Sequence, residues 1–335
     1  MFIEAAIGDA YGAGFEYADP QVVTVDNHPR QGYRKHRVEP GHYTDDTQMA
    51  IALTMAMLKA DHWTDISPVD LASQFVSQFE DDPRPGYSQK FYEILQGIVS
   101  SLKKVNKGHR ALGGVEFLRR IRPVSAKSGG AMRAWPCGLL PTLEEAVDFA
   151  MLQASLTHAT REGMDAAAAV ATLVWCCRQG MDGDLILDTI ESKVPGYAWN
   201  IPWKGAVGSS GIAATKAAAT VICNLHPDRM PVTVSMTEIL QSSVAFTGDV
   251  DTVACIALAA ASVHPGVIND LPKILYDNLE GGQYGRGFLK FLDDRMLAKY
   301  PVPIPTQQMV STSVDCVEPS PERHPQGVDI FDLCE

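Results

Sequence analysis

Four aspartates and three threonines fall in two short clusters, Thr44-Asp45-Asp46-Thr47 and Gly248-Asp249-Val250-Asp251-Thr252, about two hundred residues apart. Each is followed at once by small apolar residues, at 49–53 and 253–257. Mg²⁺ and Mn²⁺ take oxygen ligands in octahedral geometry, and the side chains of Thr44, Asp45, Asp46, Asp249, Asp251 and Thr252 offer such oxygens. Helix capping is the competing reading, because Asp and Thr are favoured at helix N-termini, where they bind free amides and complement the dipole. Capping accounts for one acidic residue per helix start. It does not account for paired carboxylates ahead of a nearly charge-free helix, occurring twice. Crowded carboxylates alone would repel until one protonated. A cation between the clusters removes that difficulty, and the metal reading is preferred.

The elements that must position these residues are helical. Hydrophobic residues make up 46% of the 335 and aromatics only 8%, and alanine-rich stretches recur at 166–177, 213–223 and 253–263. Alanine is the best helix former, and strand-like alternation is scarce, so the chain reads as an all-α, compact multi-helix domain. The apolar spacing predicts helices over 2–11, 46–59, from Ser67-Pro68 through Phe79, and over 91–102, 144–156, 164–178, 184–192, 212–223, 234–243, 271–279 and 288–297. Segments 19–43, 81–87, 103–114, 127–133 and 195–211 read as loops from their Pro, Gly and polar content. One domain over 1–300 is expected, since both clusters must meet. The tail, 301–335, carries six prolines and no apolar period and is expected to be extended or disordered.

The formal net charge of −12 argues against nucleic acid as a partner and against an anionic membrane surface. Seven cysteines without Cys-x-x-Cys spacing fit core thiols better than a disulfide framework or a zinc site. With no leader-like start and no apolar run long enough to span a bilayer, the expectation is a cytoplasmic protein without a membrane partner.

Further motifs sit around the clusters: Gly8-Asp9-Ala10-Tyr11-Gly12-Ala13-Gly14-Phe15-Glu16 near the start, Ser128-Gly129-Gly130-Ala131-Met132-Arg133 in the middle, and Ser155-Leu156-Thr157-His158-Ala159 after it. With these in order over roughly residues 1–300, the chain resembles the ADP-ribosylglycohydrolase family, which includes dinitrogenase reductase-activating glycohydrolase and the ADP-ribosyl-acceptor hydrolases. The resemblance implies an all-helical fold with two Mg²⁺ (or Mn²⁺) ions in a cleft. It implies hydrolysis of the bond between C1″ of ADP-ribose and an acceptor, with an ADP-ribosylated protein or a small ADP-ribose conjugate as partner. By matching positions, Thr44, Asp45, Asp46, Asp249, Asp251 and Thr252 would hold the metals, and Glu16, Asp46 and Asp249 would be catalytic. Glu16, Ser128, Gly129, Gly130, Ala131, Met132, Arg133 and His158 would bind substrate.

Each matched residue has a bland counterpart. Asp9 reads as a brace for helix or loop, Arg133 could pair inside the fold, His158 could be a packing histidine, and Asp81-Asp82 reads as a solvated charge run. Val250 departs from the polar residue common at its position, without removing a ligand. The first functional expectation is a metal-dependent hydrolase acting on ADP-ribosylarginine in proteins. The alternatives are an ADP-ribose-binding or partner-blocking protein of the same fold, and a two-metal hydrolase of another nucleotide-sugar substrate.

Overall fold

The computed structural model describes residues 1–104, 110–224 and 234–301. The predicted character of the tail therefore lies, beyond Pro301, outside the described residues. The described residues fall within one unit, Met1–Pro303. Its first half holds α1 (Phe2–Ala13), α2 (Pro20–Asp26), α3 (Asp45–Lys59), α4 (Pro68–Asp81), α5 (Gln89–Lys104), α6 (Arg110–Arg120) and α7 (Leu143–His158). Its second half holds α8 (Arg161–Arg178), α9 (Gly183–Lys193), α10 (Gly211–Asn224), α11 (Met236–Ala245), α12 (Val250–Ala261), α13 (Lys273–Asn278) and α14 (Arg286–Lys299). Two short parallel strands, β1 (Val234–Ser235) and β2 (Val267–Ile268), pair beside them. The all-α expectation holds.

At the centre is α12, every residue of which is buried. Beyond Asp251 and Thr252 in its first turn, the helix is Val, Ala, Ile, Leu and Cys, has no polar face to present to water and so belongs inside. Its most extensive packing is against α1, and it also touches α11, α10, α8 and α3. Gly12 sets the α1–α12 spacing: a β-carbon there would collide with the Asp251 backbone. That closeness brings Glu16, one turn past the end of α1, to the start of α12.

Two stretches read as loop are helical. Helix α2 begins with Pro20 at its first turn, and Asp19 accepts from Gln21 N–H at 2.8 Å, an ordinary proline start. Helix α6 takes in the last five residues of 103–114, and its Gly114 packs directly on the Val69 carbonyl and Ser73 of α4. Glycine serves close packing there instead of breaking the helix.

Candidate metal centre

At the first cluster, Asp9 is the brace. Fully buried on α1, it accepts from Thr44 N–H (3.0 Å), Thr44 Oγ1 (2.8 Å), Thr47 N–H (3.0 Å) and Thr47 Oγ1 (2.6 Å). These bonds fix the start of α3 and turn Asp45 and Asp46 into the interior, where they are 7% and 3% exposed. Thr44 also caps the helix, though at a long 3.4 Å to Asp46 N–H. Because its hydroxyl proton goes to Asp9, Thr44 Oγ1 keeps a lone pair for a cation.

Asp249 stands at the N-cap position of α12, yet its side chain makes no capping hydrogen bond. Its carboxylate instead accepts from Ser128 Oγ at 3.0 Å. Oxygens of Glu16, Asp249 and Asp251 lie within 4.8 Å of one another. Thr252 lies near enough to both Asp46 and Asp249 to oppose the upward pKa shift of each, which puts it between the two clusters. Asp46 Oδ1 is buried without a hydrogen-bond partner. An orphaned buried carboxylate oxygen calls for an explanation, and a coordinated cation fits its acidic neighbours. For these two aspartates, capping is the weaker account.

The electrostatics agree. Burial, and then Asp9, pushes the Asp45 carboxyl well above its ordinary range; burial with Asp9 and the adjacent Asp45 does the same to Asp46. Burial and the neighbouring Glu16 and Asp46 push Asp251 well up. Asp249 and Glu16 are raised as well, each chiefly by burial. Arg37 opposes the shift at Glu16 and Lys127 opposes it at Asp249. Clustered carboxylates that resist ionisation become stable anions once hard divalent cations bind them, so the donor set fits Mg²⁺ or Mn²⁺.

The middle motif divides in two. Ser128 and Gly129 are partly exposed, and Ser128 reaches Asp249. The His158 ring lies against Gly129 and Gly130. Its Nδ1 is 2.6 Å from Thr157 Oγ1, and burial, then Arg133, lowers its pKa to about 3, so it is a neutral imidazole at physiological pH. Ala131, Met132 and Arg133, expected to bind substrate, all lie buried in the fold. Ala131 and Met132 are core side chains, and both their amides donate to Ser128 C=O. Arg133 is 1% exposed, and its guanidinium donates to Gln153 Oε1 and C=O, Gly129 C=O and Thr157 Oγ1. Four of its five N–H groups are thus engaged inside the fold. Arg133 holds the glycine turn from behind.

Segment 81–87 also departs from expectation. Asp82 is not part of a solvated run. It accepts from Arg84 Nε at 2.8 Å, and Arg84 is itself buried, paired with Glu280 and stacked 3.9 Å from the Tyr43 ring centroid. This pins the loop against the first cluster. Asp45 N–H donates to Pro85 C=O at 3.0 Å, and a β-carbon on Gly86 (φ +108°) would collide with Asp45 Oδ1. Gln48 donates to the Gln78 and Asp82 carbonyls and accepts from Tyr87 Oη.

Segment 195–211 contributes a second backbone stitch. Val207 N–H donates to Thr247 C=O, Asp249 N–H donates to Val207 C=O, and Ser128 N–H donates to Ser209 C=O, each at 2.9 Å. It thereby ties the serine-glycine turn to the second acidic cluster. Tyr17 is a further neighbour without a motif of its own, with its N–H 2.9 Å from Gly248 C=O.

A helical domain with two buried acidic helix starts brought close together defines a candidate dimetal protein. Residues 3–302 match the family model described as ADP-ribosylglycohydrolase, and the chain belongs to that family. It is 31% identical over 168 residues to "ADP-ribosylhydrolase ARH3" of Homo sapiens, covering 48% of this chain and 44% of that protein. The Mus musculus protein of the same name is 30% identical over 168 residues, covering 48% of this chain and 43% of its own. The match thus spans less than half the length of these relatives. A solved structure titled "ADP-ribosylglycohydrolase-related protein complex" shares the fold, with a TM-score of 0.59, 20% identity, and coverage of 90% of this chain and 96% of that one. Among the described residues, no helix is long and apolar enough to cross a membrane.

Proposed function

We propose that the protein is a metal-dependent ADP-ribosyl hydrolase, with ADP-ribosylarginine in proteins as its first substrate. The observation that carries this reading is the meeting of Glu16, Asp249 and Asp251 beside the orphaned Asp46 Oδ1. Thr44, Asp45, Asp46, Asp249, Asp251 and Thr252 would hold two Mg²⁺ or Mn²⁺, which supply a water of lowered pKa and a grip on the ribose hydroxyls.

The rest of the chemistry falls to the chain itself. Departure of the acceptor from C1″ builds oxocarbenium character, which a strongly acidic cleft stabilises. Glu16 faces Asp249 and Asp251 from the end of α1, placed to orient the attacking water and accept its proton, a contribution of roughly 10²–10⁴-fold. Ser128, Gly129 and Gly130 let backbone approach the diphosphate closely, and neutral His158 behind them adds no charge there. Two divalent ions would balance four of the negative charges of Asp9, Glu16, Asp45, Asp46, Asp249 and Asp251. The residual negative field favours a cationic leaving group such as guanidinium. Five free thiols among the described cysteines support a reducing, cytoplasmic setting.

The test is release of free ADP-ribose from defined arginine- and serine-linked peptides with Mg²⁺. Release should stop with EDTA and in Asp45→Ala and Asp251→Ala. Activity that survives both would sink the metal assignment. Tight ADP-ribose binding without turnover of any linkage would make the protein a binder, and preferred turnover of free nucleotide sugars would move the substrate class.

A further inference from the structure

Tyr17 follows Glu16 in a left-handed backbone conformation, φ +49°. A tyrosine there is strained, and the strain is held by its N–H bond to Gly248 C=O. The result is a half-exposed tyrosine beside the acidic cluster, directly after Glu16, whose carboxylate meets Asp249 and Asp251. Arg37 lies over the Tyr17 ring, its guanidinium carbon 5.8 Å from the centroid, while Arg37 Nη1 is 3.6 Å from Glu16 Oε2. A planar cation is thus held between an aromatic face and the carboxylate assigned to catalysis.

The residues just before Arg37 are fastened differently. Arg34 Nη1 donates to Gly14 C=O at 2.8 Å, and His36 Nε2 lies 3.1 Å from Glu16 C=O. Arg37 has a long ion pair and a ring contact, and its side chain is 58% exposed. Half-exposed pairs of this length are weak and exchange readily. Its backbone is therefore anchored nearby while its guanidinium is free to leave.

We propose that Glu16 and Tyr17 form the subsite for the leaving guanidinium of an ADP-ribosylated arginine, and that Arg37 fills it as an internal stand-in which the acceptor displaces. Guanidinium stacks on aromatic rings and pairs with carboxylates, which is the combination Arg37 displays. The inference rests on the arginine reading above and names where its acceptor sits. In hydrolysis the C1″–N bond breaks, water oxygen bonds C1″, and a water proton passes to the departing nitrogen. The product guanidinium then lies between the Glu16 carboxylate and the Tyr17 ring. Serine, lacking a planar cation, gains nothing from this subsite.

The experiment compares wild type, Arg37→Gln, Tyr17→Ala and Tyr17→Phe on arginine- and serine-linked peptides, and titrates methylguanidinium into each Mg²⁺-loaded protein by calorimetry. Removing the stand-in should lower KM for the arginine linkage relative to the serine linkage and tighten methylguanidinium, each by about 3- to 10-fold. Tyr17→Ala should raise KM for the arginine linkage alone and abolish methylguanidinium binding; Tyr17→Phe, which keeps the ring, should restore both. If arginine-linked substrate is cleaved and Tyr17→Ala shifts both linkages alike, the subsite is wrong and the hydrolase reading stands. If no linkage is cleaved but methylguanidinium binding still depends on Tyr17, the hydrolase reading fails and the guanidinium subsite remains. Methylguanidinium binding that ignores both Tyr17 and Arg37 overturns the proposal.

Discussion

The wall of the cleft built from α3 and the rim built from Glu16, Tyr17 and Arg37 are held in opposite ways. On the α3 side, Asp9 accepts from two backbone amides and two hydroxyls, Gly86 presses on Asp45, and Arg84 locks the covering loop to Asp82 and Glu280. At the rim, one long ion pair and one ring contact hold a half-exposed arginine. A metal site must hold its carboxylates to within a fraction of an ångström before the cation arrives, whereas an acceptor site must let one cation replace another. The difference separates what the protein keeps fixed from what it exchanges.

Breaking the rigid wall should give the largest effects. Asp251→Ala or Asp46→Ala removes a proposed ligand outright, and divalent-cation affinity should fall by at least about 10²-fold in calorimetry, with ADP-ribose release lost. Gly86→Ala touches no ligand chemically, yet its methyl must displace the Asp45 carboxylate or the loop. A loss of about 10- to 100-fold in cation affinity with little change in the far-UV spectrum is expected; unchanged affinity would mean that the contact does not set the site. Asp9→Asn replaces one accepting oxygen by an amide donor facing hydroxyls that already donate, and should cost about 1–3 kcal/mol of unfolding free energy by denaturant titration. Arg37→Gln, by contrast, should change stability by less than about 1 kcal/mol.

A pH series sharpens the same contrast. The carboxyls of Asp45, Asp46, Asp249, Asp251 and Glu16 have folded-state pKa values raised above their unfolded ones, chiefly by burial. The folded state therefore binds protons more tightly than the unfolded state. Their favourable contribution is complete below the ordinary carboxylate range and is lost as pH rises through the raised values. In EDTA the melting temperature should fall between pH 5 and pH 8, and saturating Mg²⁺ should reduce that fall. A metal-free protein that gains stability over the same interval would contradict the crowding of carboxylates described here.

That the acidic clusters open two buried helices was legible from residue type alone, because Asp and Thr ahead of an uncharged apolar run mark a helix start. Asp9 was legible as a brace for a similar reason: it sits on an apolar helix with no charged partner nearby in sequence. Gly86 over Asp45 was not, nor was the stitch from Val207 and Ser209 to Asp249 and Ser128. Those contacts run through backbone atoms, which every residue has, so no side-chain signature records them. Arg133 illustrates the reverse case. An arginine beside a glycine turn suggests a phosphate, but only the fold shows Gln153 and Thr157 already taking its donors. Helix α2, with Asp19-Pro20 at its start, carried a proper start signal that was outweighed by the prolines after it.

The central claim is that two clusters distant in sequence make one metal centre. Its most direct test is a crystal of the protein grown with Mn²⁺ and measured at the manganese absorption edge. The account predicts anomalous density within coordination distance of both clusters, with Asp46 on one side and Asp249 and Asp251 on the other. Anomalous density confined to surface carboxylates, with the Asp46 and Asp251 side chains turned away from each other, would contradict it.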